Sequence, residues 1–479
     1  MCWKRAGALL LLLAVATMAS LAQTFATLAN FDGTNGWDPY YGSLVQATNG
    51  DLYGTTGNGG ASAACASGCG TIFKITPAGA LSTVYSFCSQ TNCTDGTTPL
   101  GALVQATNGY LYGTTTYGGG GNCSGLAPIP GCGTIFKITP AGALTTIHSF
   151  HETDGEFPEA GLVQAFNGDL YGTTYGGGTC CGTVFKITPA GTLTTLYNFG
   201  TGGLSDGAYP SSGLVQAGNG ELYGTTTSTG DAGAGTVFKI TPAGALTILH
   251  TFGGPDGSYP WAGLVQATNG LLYGTTRSGG ASGYGTIFKI TPAGTLSTVY
   301  SFCSEANCTD GSLPFAGLLQ GTDGDLYGTT AQGGSNISCG CGTIFKITPA
   351  GVLTTEHSFD KTDGASPTTG LAQDTNGAFY GTAFAGGANN GGTIFRLSVG
   401  LGDFVKTLPT LGEAGSAVKV LGSGLTGATS VTFNGTPAVF TVVDAAEITT
   451  TVPTGATTGR VQVVTPSGAL LSNVDFLVP

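Results

Sequence analysis

The sequence predicts an all-β protein: a seven-bladed β-propeller closed by an N-terminal strand, followed by a small immunoglobulin-like β-sandwich. Three observations carry this. Tyr-Gly-Thr recurs at Tyr53, Tyr112, Tyr171, Tyr223, Tyr273, Tyr327 and Tyr380, a spacing of 50 to 59 residues, the period of propeller-type arrays rather than of helical solenoids. Every copy reads as four short strands without a helical apolar period. After Gly402 the repeat stops and plain β alternation takes over.

The first 22 residues read as an export leader. Lys4 and Arg5 form a basic start, Ala6 to Met18 are apolar, and Ser20-Leu21-Ala22 supplies small residues before a cut ahead of Gln23. The apolar run is too short for a comfortable membrane span, and none of about 18 apolar residues follows. An extracellular or cell-surface location is therefore expected, with no membrane span.

Residues 23–401 are assigned to the propeller. In the third copy strand a is Gly161 to Ala165, and Asn167-Gly168 supplies the positive φ angles of a two-residue hairpin turn. Strand b is Asp169 to Thr174 and strand c is Gly182 to Ile187. Thr188-Pro-Ala-Gly191 turns into strand d, Thr192 to Phe199. An Asp-Gly step at Asp206-Gly207 and a Pro-containing loop lead into the next strand a. The last copy lacks strand d, while Phe25 to Phe31 with Asp32-Gly33 has that pattern and nothing before it. Pairing this lone strand with Gly392 to Leu397 closes a ring and covers two open sheet edges.

The recurring Leu-Tyr-Gly-Thr-Thr, Gly-Thr-Ile-Phe-Lys-Ile-Thr-Pro and Asp-Gly elements, over residues 25 to 397, resemble the Gly-rich GloVer tandem repeat of exported bacterial proteins. That resemblance implies the propeller and export but no chemistry. Residues 404–479 resemble an IPT/TIG domain through Gly415, Gly422-Ser-Gly-Leu425, Val431-x-Phe433 with Asn434-Gly435, Val452-Pro-Thr-Gly-Ala456, and Phe476-Leu-Val478. The resemblance implies a β-sandwich that serves as a spacer or contact module.

Composition narrows the function. The chain has 479 residues, 85 of them Gly, with 41% hydrophobic, 8% charged and a formal charge of −12. This much apolar residue with so little charge folds rather than staying disordered, and the acidity argues against nucleic acid. Twelve cysteines follow the leader, an even number suited to an oxidising destination. Local staples are expected at Cys65–Cys69, Cys88–Cys93, Cys123–Cys132 and Cys303–Cys308. Cys180-Cys181 and Cys339-x-Cys341 read instead as strained or unpaired thiols.

Three of the four His, at 148, 250 and 357, hold the strand-d position that is Tyr85, Tyr197 and Tyr300 elsewhere, so they read as structural. His151 with Glu152, Glu156 and Glu159 forms an acidic loop that offers the weak catalytic candidates. The Asp-Gly aspartates, with Asp32 counted as the seventh, and the strand-c cations Lys74, Lys137, Lys186, Lys239, Lys289, Lys346 and Arg396 read as architectural, the cations bridging neighbouring blades. The strand-a glutamines, Gln46 to Gln373, read as an amide ladder near the channel.

The variable b–c and d–a loops share one face, where function concentrates. Trp37, Tyr40, Tyr41, Phe157, Tyr209, Tyr259, Trp261 and Phe315 lie in the d–a loops and are expected around the channel mouth. Aromatic planes with few charges suit sugar rings or a protein partner. The function predicted is a monomeric, non-catalytic binding or scaffold protein for polysaccharide or a surface protein, without metal or cofactor. The alternative is an extracellular carbohydrate-active enzyme using the loop carboxylates.

Overall fold

The computed structural model describes residues 23–479 except 122, 124–129, 202 and 230–232. The expected leader lies outside the described residues. Seven four-stranded antiparallel sheets follow one another, and two more form the C-terminal sandwich. The first blade contains Val45–Gln46, Leu52–Thr56, Thr71–Ile75 and Leu81–Ser86 as strands a to d. In each blade strand b is wholly buried, and strand c is buried except at its Lys or Arg. The Gly of Leu-Tyr-Gly is needed for packing: a Cβ on Gly54 would stand 2.5 Å from the Phe73 ring and 2.7 Å from Leu44. The preceding Tyr53 is buried, and its hydroxyl accepts the Asn49 side-chain amide of the a–b turn at 3.0 Å.

Closure occurs as the strand count requires. Thr24–Asn30 runs antiparallel to Thr393–Ser398, pairing Phe25 with Leu397 and Asn30 with Thr393. The seventh sheet thus joins strands from both ends of the array. Phe25 stacks on His357 of the sixth blade with ring centroids 3.6 Å apart.

The glutamines tie the ring together near its axis. The Oε1 atoms of Gln105, Gln164, Gln216, Gln266 and Gln320 each accept a backbone N–H from the preceding blade's a–b turn at 2.7 to 2.9 Å. Gln46 does the same across the closure, taking the Thr375 N–H at 3.2 Å.

Several architectural expectations need correction. The strand-c cations that form ion pairs do so within their own blade: Lys74 with Asp51 (3.1 Å), Lys239 with Glu221 (3.0 Å) and Lys346 with Asp325 (3.7 Å). Register places strand c directly beside the start of strand b, so the nearest acid is local. Asp32 is not the seventh Asp-Gly aspartate. Asn35-Gly36 takes that place, because Gly36 packs on Thr56 as Gly96 packs on Thr115 and Gly207 on Thr226. Asp32 instead accepts the N–H groups of Thr34 and Asn35.

The other six aspartates each meet the strand-d Tyr or His of their own blade. Asp95, Asp206 and Asp310 accept the hydroxyls of Tyr85, Tyr197 and Tyr300 at 2.8 Å. Asp154, Asp256 and Asp363 lie 3.0, 2.6 and 2.8 Å from Nε2 of His148, His250 and His357. Tyr and His interchange because both carry a donor to the same carboxylate. All twelve described cysteines pair: besides the four expected staples, Cys180 pairs with Cys181 and Cys339 with Cys341, so these four are not free thiols.

The sandwich stacks two sheets. One holds Lys406–Leu408, Ala417–Leu421, Glu447–Thr451 and Phe440–Val442. The other holds Thr436–Pro437, Ser430–Phe433, Val461–Thr465 and Gly468–Leu471. Inward residues of both, including Val418, Val420, Phe433, Ile448, Val461 and Val463, form its core.

Candidate functional site

Each d–a loop crosses the propeller face in one unusual conformation. The residue before the loop proline has a left-handed backbone in all seven blades: Asp38, Thr98, Phe157, Tyr209, Tyr259, Leu313 and Ser366, with φ between 52 and 59°. Both side-chain sterics and the following proline disfavour that conformation. Paired backbone bonds impose it. The Tyr209 N–H donates to Cys181 O and its carbonyl accepts from Thr227 N, and Phe157 is pinned likewise between Cys132 and Tyr175. In five blades the residue after the proline reaches the axis; Tyr40 and Leu100 do not. Here the repeat varies most: Tyr40, Leu100, Glu159, Ser211, Trp261, Phe315 and Thr368.

Below this collar the first residues of all seven a strands enclose an axial cavity of about 540 Å³, within the range of small-ligand pockets. Its walls are mostly backbone. Successive blades approach so closely that a Cβ on Gly263 would lie 3.0 Å from Gly213 O. At the mouth, the Tyr41 and Trp261 rings face each other at 6.0 Å with 28° between planes. Trp261 meets Phe315 edge-on at 6.3 Å, and the Arg277 guanidinium sits 4.8 Å over the Phe315 ring. The Trp261 Nε1 and Arg277 Nε atoms are buried without hydrogen-bond partners.

Glu159 is the one carboxylate among the described cavity-lining residues. Burial pushes its carboxyl up to about 7. Residue-level exposure is intermediate because its open side faces the cavity. Burial also raises the Tyr41 hydroxyl well above the usual phenol range, helped by Tyr40.

The other end meets the sandwich. Lys406 and Asn473 line the cavity beside Gln46 and Gln373. The Lys406 ammonium donates to Gln46 Oε1 at 3.1 Å and to the Gln373 carbonyl. Burial brings it down to about 8, opposed by the nearby Asp374. Phe404 N–H donates to Thr375 O at 2.9 Å, and Thr375 and Ser423 share a 3.0 Å hydroxyl bond. The sandwich therefore docks on the a–b turn face, and its Lys406 and Asn473 line the end of the axial well away from the loops.

A family model described as the Gloeobacter/Verrucomicrobia repeat matches residues 14–127, 124–280 and 217–439. The chain belongs to this family. An IPT/TIG domain matches residues 405–478. No curated protein matches the chain. Similar solved structures include the extracellular domain of a suspected hybrid two component system from B. thetaiotaomicron. It shares 12% identity at a TM-score of 0.48, over 84% of this chain and 46% of its own. This chain thus spans about half the length of that neighbour. A luciferin-regenerating enzyme shares 10% identity at a TM-score of 0.41, over 79% of this chain and 95% of its own. A puromycin hydrolase shares 12% at 0.45, over 82% and 62%.

In this Gloeobacter/Verrucomicrobia repeat protein the aromatic residues singled out in the sequence separate into groups. Tyr41, Trp261 and Phe315 line the well, and Tyr40 backs Tyr41 at 3.9 Å. Phe157 and Tyr209 are strained loop residues that pack on Tyr117 (5.4 Å) and Tyr175 (5.0 Å). Tyr259 is 45% exposed on the rim. Trp37 bridges to Asn58 and packs against Gly391, away from the well. The acidic loop also divides: His151 and Glu152 are exposed and Glu156 pairs its backbone with Gly176, so only Glu159 enters the cavity. Sequence reasoning missed Lys406 and Arg277. Their signal was that both are cations outside the strand-c pattern.

Proposed function

We propose that this Gloeobacter/Verrucomicrobia repeat protein is an exported, monomeric binding protein that receives a saccharide chain end in its axial well. The sandwich forms the floor of that well and spaces the propeller from whatever it is joined to. The observation that carries the reading is the convergence of Tyr41, Trp261 and Phe315 on an axial cavity with backbone walls. Aromatic planes stack on the apolar faces of sugar rings while exposed backbone groups satisfy hydroxyls. Six disulfides support an oxidising destination, and no helix among the described residues is long and apolar enough to cross a membrane. The alternative hydrolase would use two facing carboxyls. Glu152 and Glu156 lie outside the well, which leaves Glu159 without its partner.

The test is a glycan array probed with the purified chain and with Trp261→Ala. Hits that disappear in the variant support the reading. A folded protein with no hits, or hits indifferent to Trp261, removes it.

A further inference from the structure

We propose that the well is built for an acidic saccharide, whose carboxylate is taken by the Lys406 ammonium at the floor while Arg277 attracts acidic sugars at the mouth. This rests on the saccharide reading above and narrows its ligand class.

The distribution of positive charge carries the inference. Five cations of the chain after residue 22 lie outside strand c: Arg277, Lys361, Lys406, Lys419 and Arg460. Lys419 pairs with Glu447 and Arg460 with Asp475, each at 3.0 Å. Lys361 is exposed to solvent, and Arg277 and Lys406 make no ion pair within 4.0 Å among the described residues; Lys406 lines the cavity floor, and Arg277 lies behind Phe315 at the mouth. Burying an unpaired cation is costly, and an acidic protein has no shortage of carboxylates to offset it. Keeping both cations unpaired fits an anion that arrives from outside.

Donor count points the same way. An ammonium has three N–H donors, and Lys406 uses two, on Gln46 and Gln373. Among the described residues Asp374 is the one carboxylate whose charge acts on Lys406, from beyond ion-pair distance, and it is shared with Arg396. The one carboxyl in the path, Glu159, holds its proton up to about pH 7 and so does not repel an anion below that. From Tyr41 at the mouth to Gln46 at the floor the chain takes five residue steps, at most about 17 Å if fully extended. A chain end can therefore stack at the mouth while its terminal carboxylate reaches the floor.

Titration calorimetry with the full mature chain tests this, using a galacturonic acid trisaccharide and its carboxyl-reduced, galactose counterpart. The acid should bind about tenfold more tightly, as a charge-assisted hydrogen bond warrants. Lys406→Met should bring the two to equal affinity. Because that substitution also touches the domain junction, Arg277→Gln provides a second measure. It should narrow the affinity ratio of acid to neutral sugar and weaken its salt dependence; an unchanged ratio with unchanged salt dependence removes the role given to Arg277. Equal affinity of the two sugars for the wild-type chain, or an acid preference that survives Lys406→Met, overturns the acidic assignment and leaves saccharide binding standing. Failure of both sugars, together with an empty glycan array, takes down the saccharide reading itself.

Discussion

Gln46 Oε1 accepts the backbone N–H of Thr375 at 3.2 Å, joining the first a–b hairpin to the last across 329 residues. The same oxygen receives the Lys406 ammonium, so one amide takes part in both the ring closure and the junction with the second domain. Gln46→Ala strands a buried N–H and an ammonium together. It should cost about 2 to 3 kcal/mol, against about 1 kcal/mol for Gln216→Ala, which leaves the Phe166 N–H and the half-exposed Gly220 carbonyl unmet and strands no charge. Urea denaturation of the two variants measures the difference.

Phe31 completes the closing blade. It is fully buried, and its ring meets Phe73 edge-on at 5.1 Å, the same contact that Phe87 makes with Phe136 one blade on. Phe31→Ala should lose about 3 to 5 kcal/mol. Because the ring has no other seam, the propeller should melt earlier in one transition rather than fray from its N-terminus. Calorimetry distinguishes the two outcomes.

The ring itself was legible because each link in it is local and repeated: turn dipeptides, a Gly under a Phe, an orphan strand at one end and a vacancy at the other. The well floor was not. Lys406 lies 360 positions from Gln46, and no short-range pattern signals a contact between domains. Asp32 misled for a different reason. Asp-Gly matched as a dipeptide, but the loop from the preceding Phe varies. It takes four residues in Phe150 to Asp154, Phe252 to Asp256 and Phe359 to Asp363, and seven or eight in the other three blades. The first blade takes the four-residue form, from Phe31 to Asn35. The exchange of His for Tyr was visible, but its carboxylate partner lay across a loop of variable length.

That exchange makes a direct test possible. His148→Tyr should change stability little, since Tyr85, Tyr197 and Tyr300 reach the equivalent aspartate. His148→Phe should cost about 1 to 2 kcal/mol by leaving the Asp154 carboxylate short of a donor. Burial raises the Asp154 carboxyl, but bonds from His148 and from the His151 backbone outweigh it and hold the group below its usual 3.8. A depressed carboxylate contributes stability that is present above the unfolded value and lost as pH falls through the folded one. The difference between His148→Phe and wild type should therefore shrink on acidification below about pH 4, as followed by melting temperature.

Thr98 is the least suited of the seven left-handed loop residues, being β-branched at φ 56°. A non-Gly residue there costs on the order of 1 to 3 kcal/mol, while Gly loses about 0.5 to 1 kcal/mol more backbone entropy on folding. Thr98→Gly should thus raise stability by about 1 kcal/mol. A loss would show that its side chain contributes more than its backbone costs.

Glu159 predicts the pH response of the well. Its carboxyl ordinarily titrates at 4.5, and burial carries it to about 7 in the folded chain. Below pH 4.5 both states hold the proton and the group has no effect. Between 4.5 and 7 only the folded state holds it, so stability falls as pH rises through that window and stays reduced above it. Glu159→Gln keeps the shape without the charge. Its melting temperature should match wild type at pH 4, exceed it increasingly from pH 5 to 7, and hold a constant lead at pH 8. A lead that is the same at every pH would mean that Glu159 is not buried in the mouth as the structure places it.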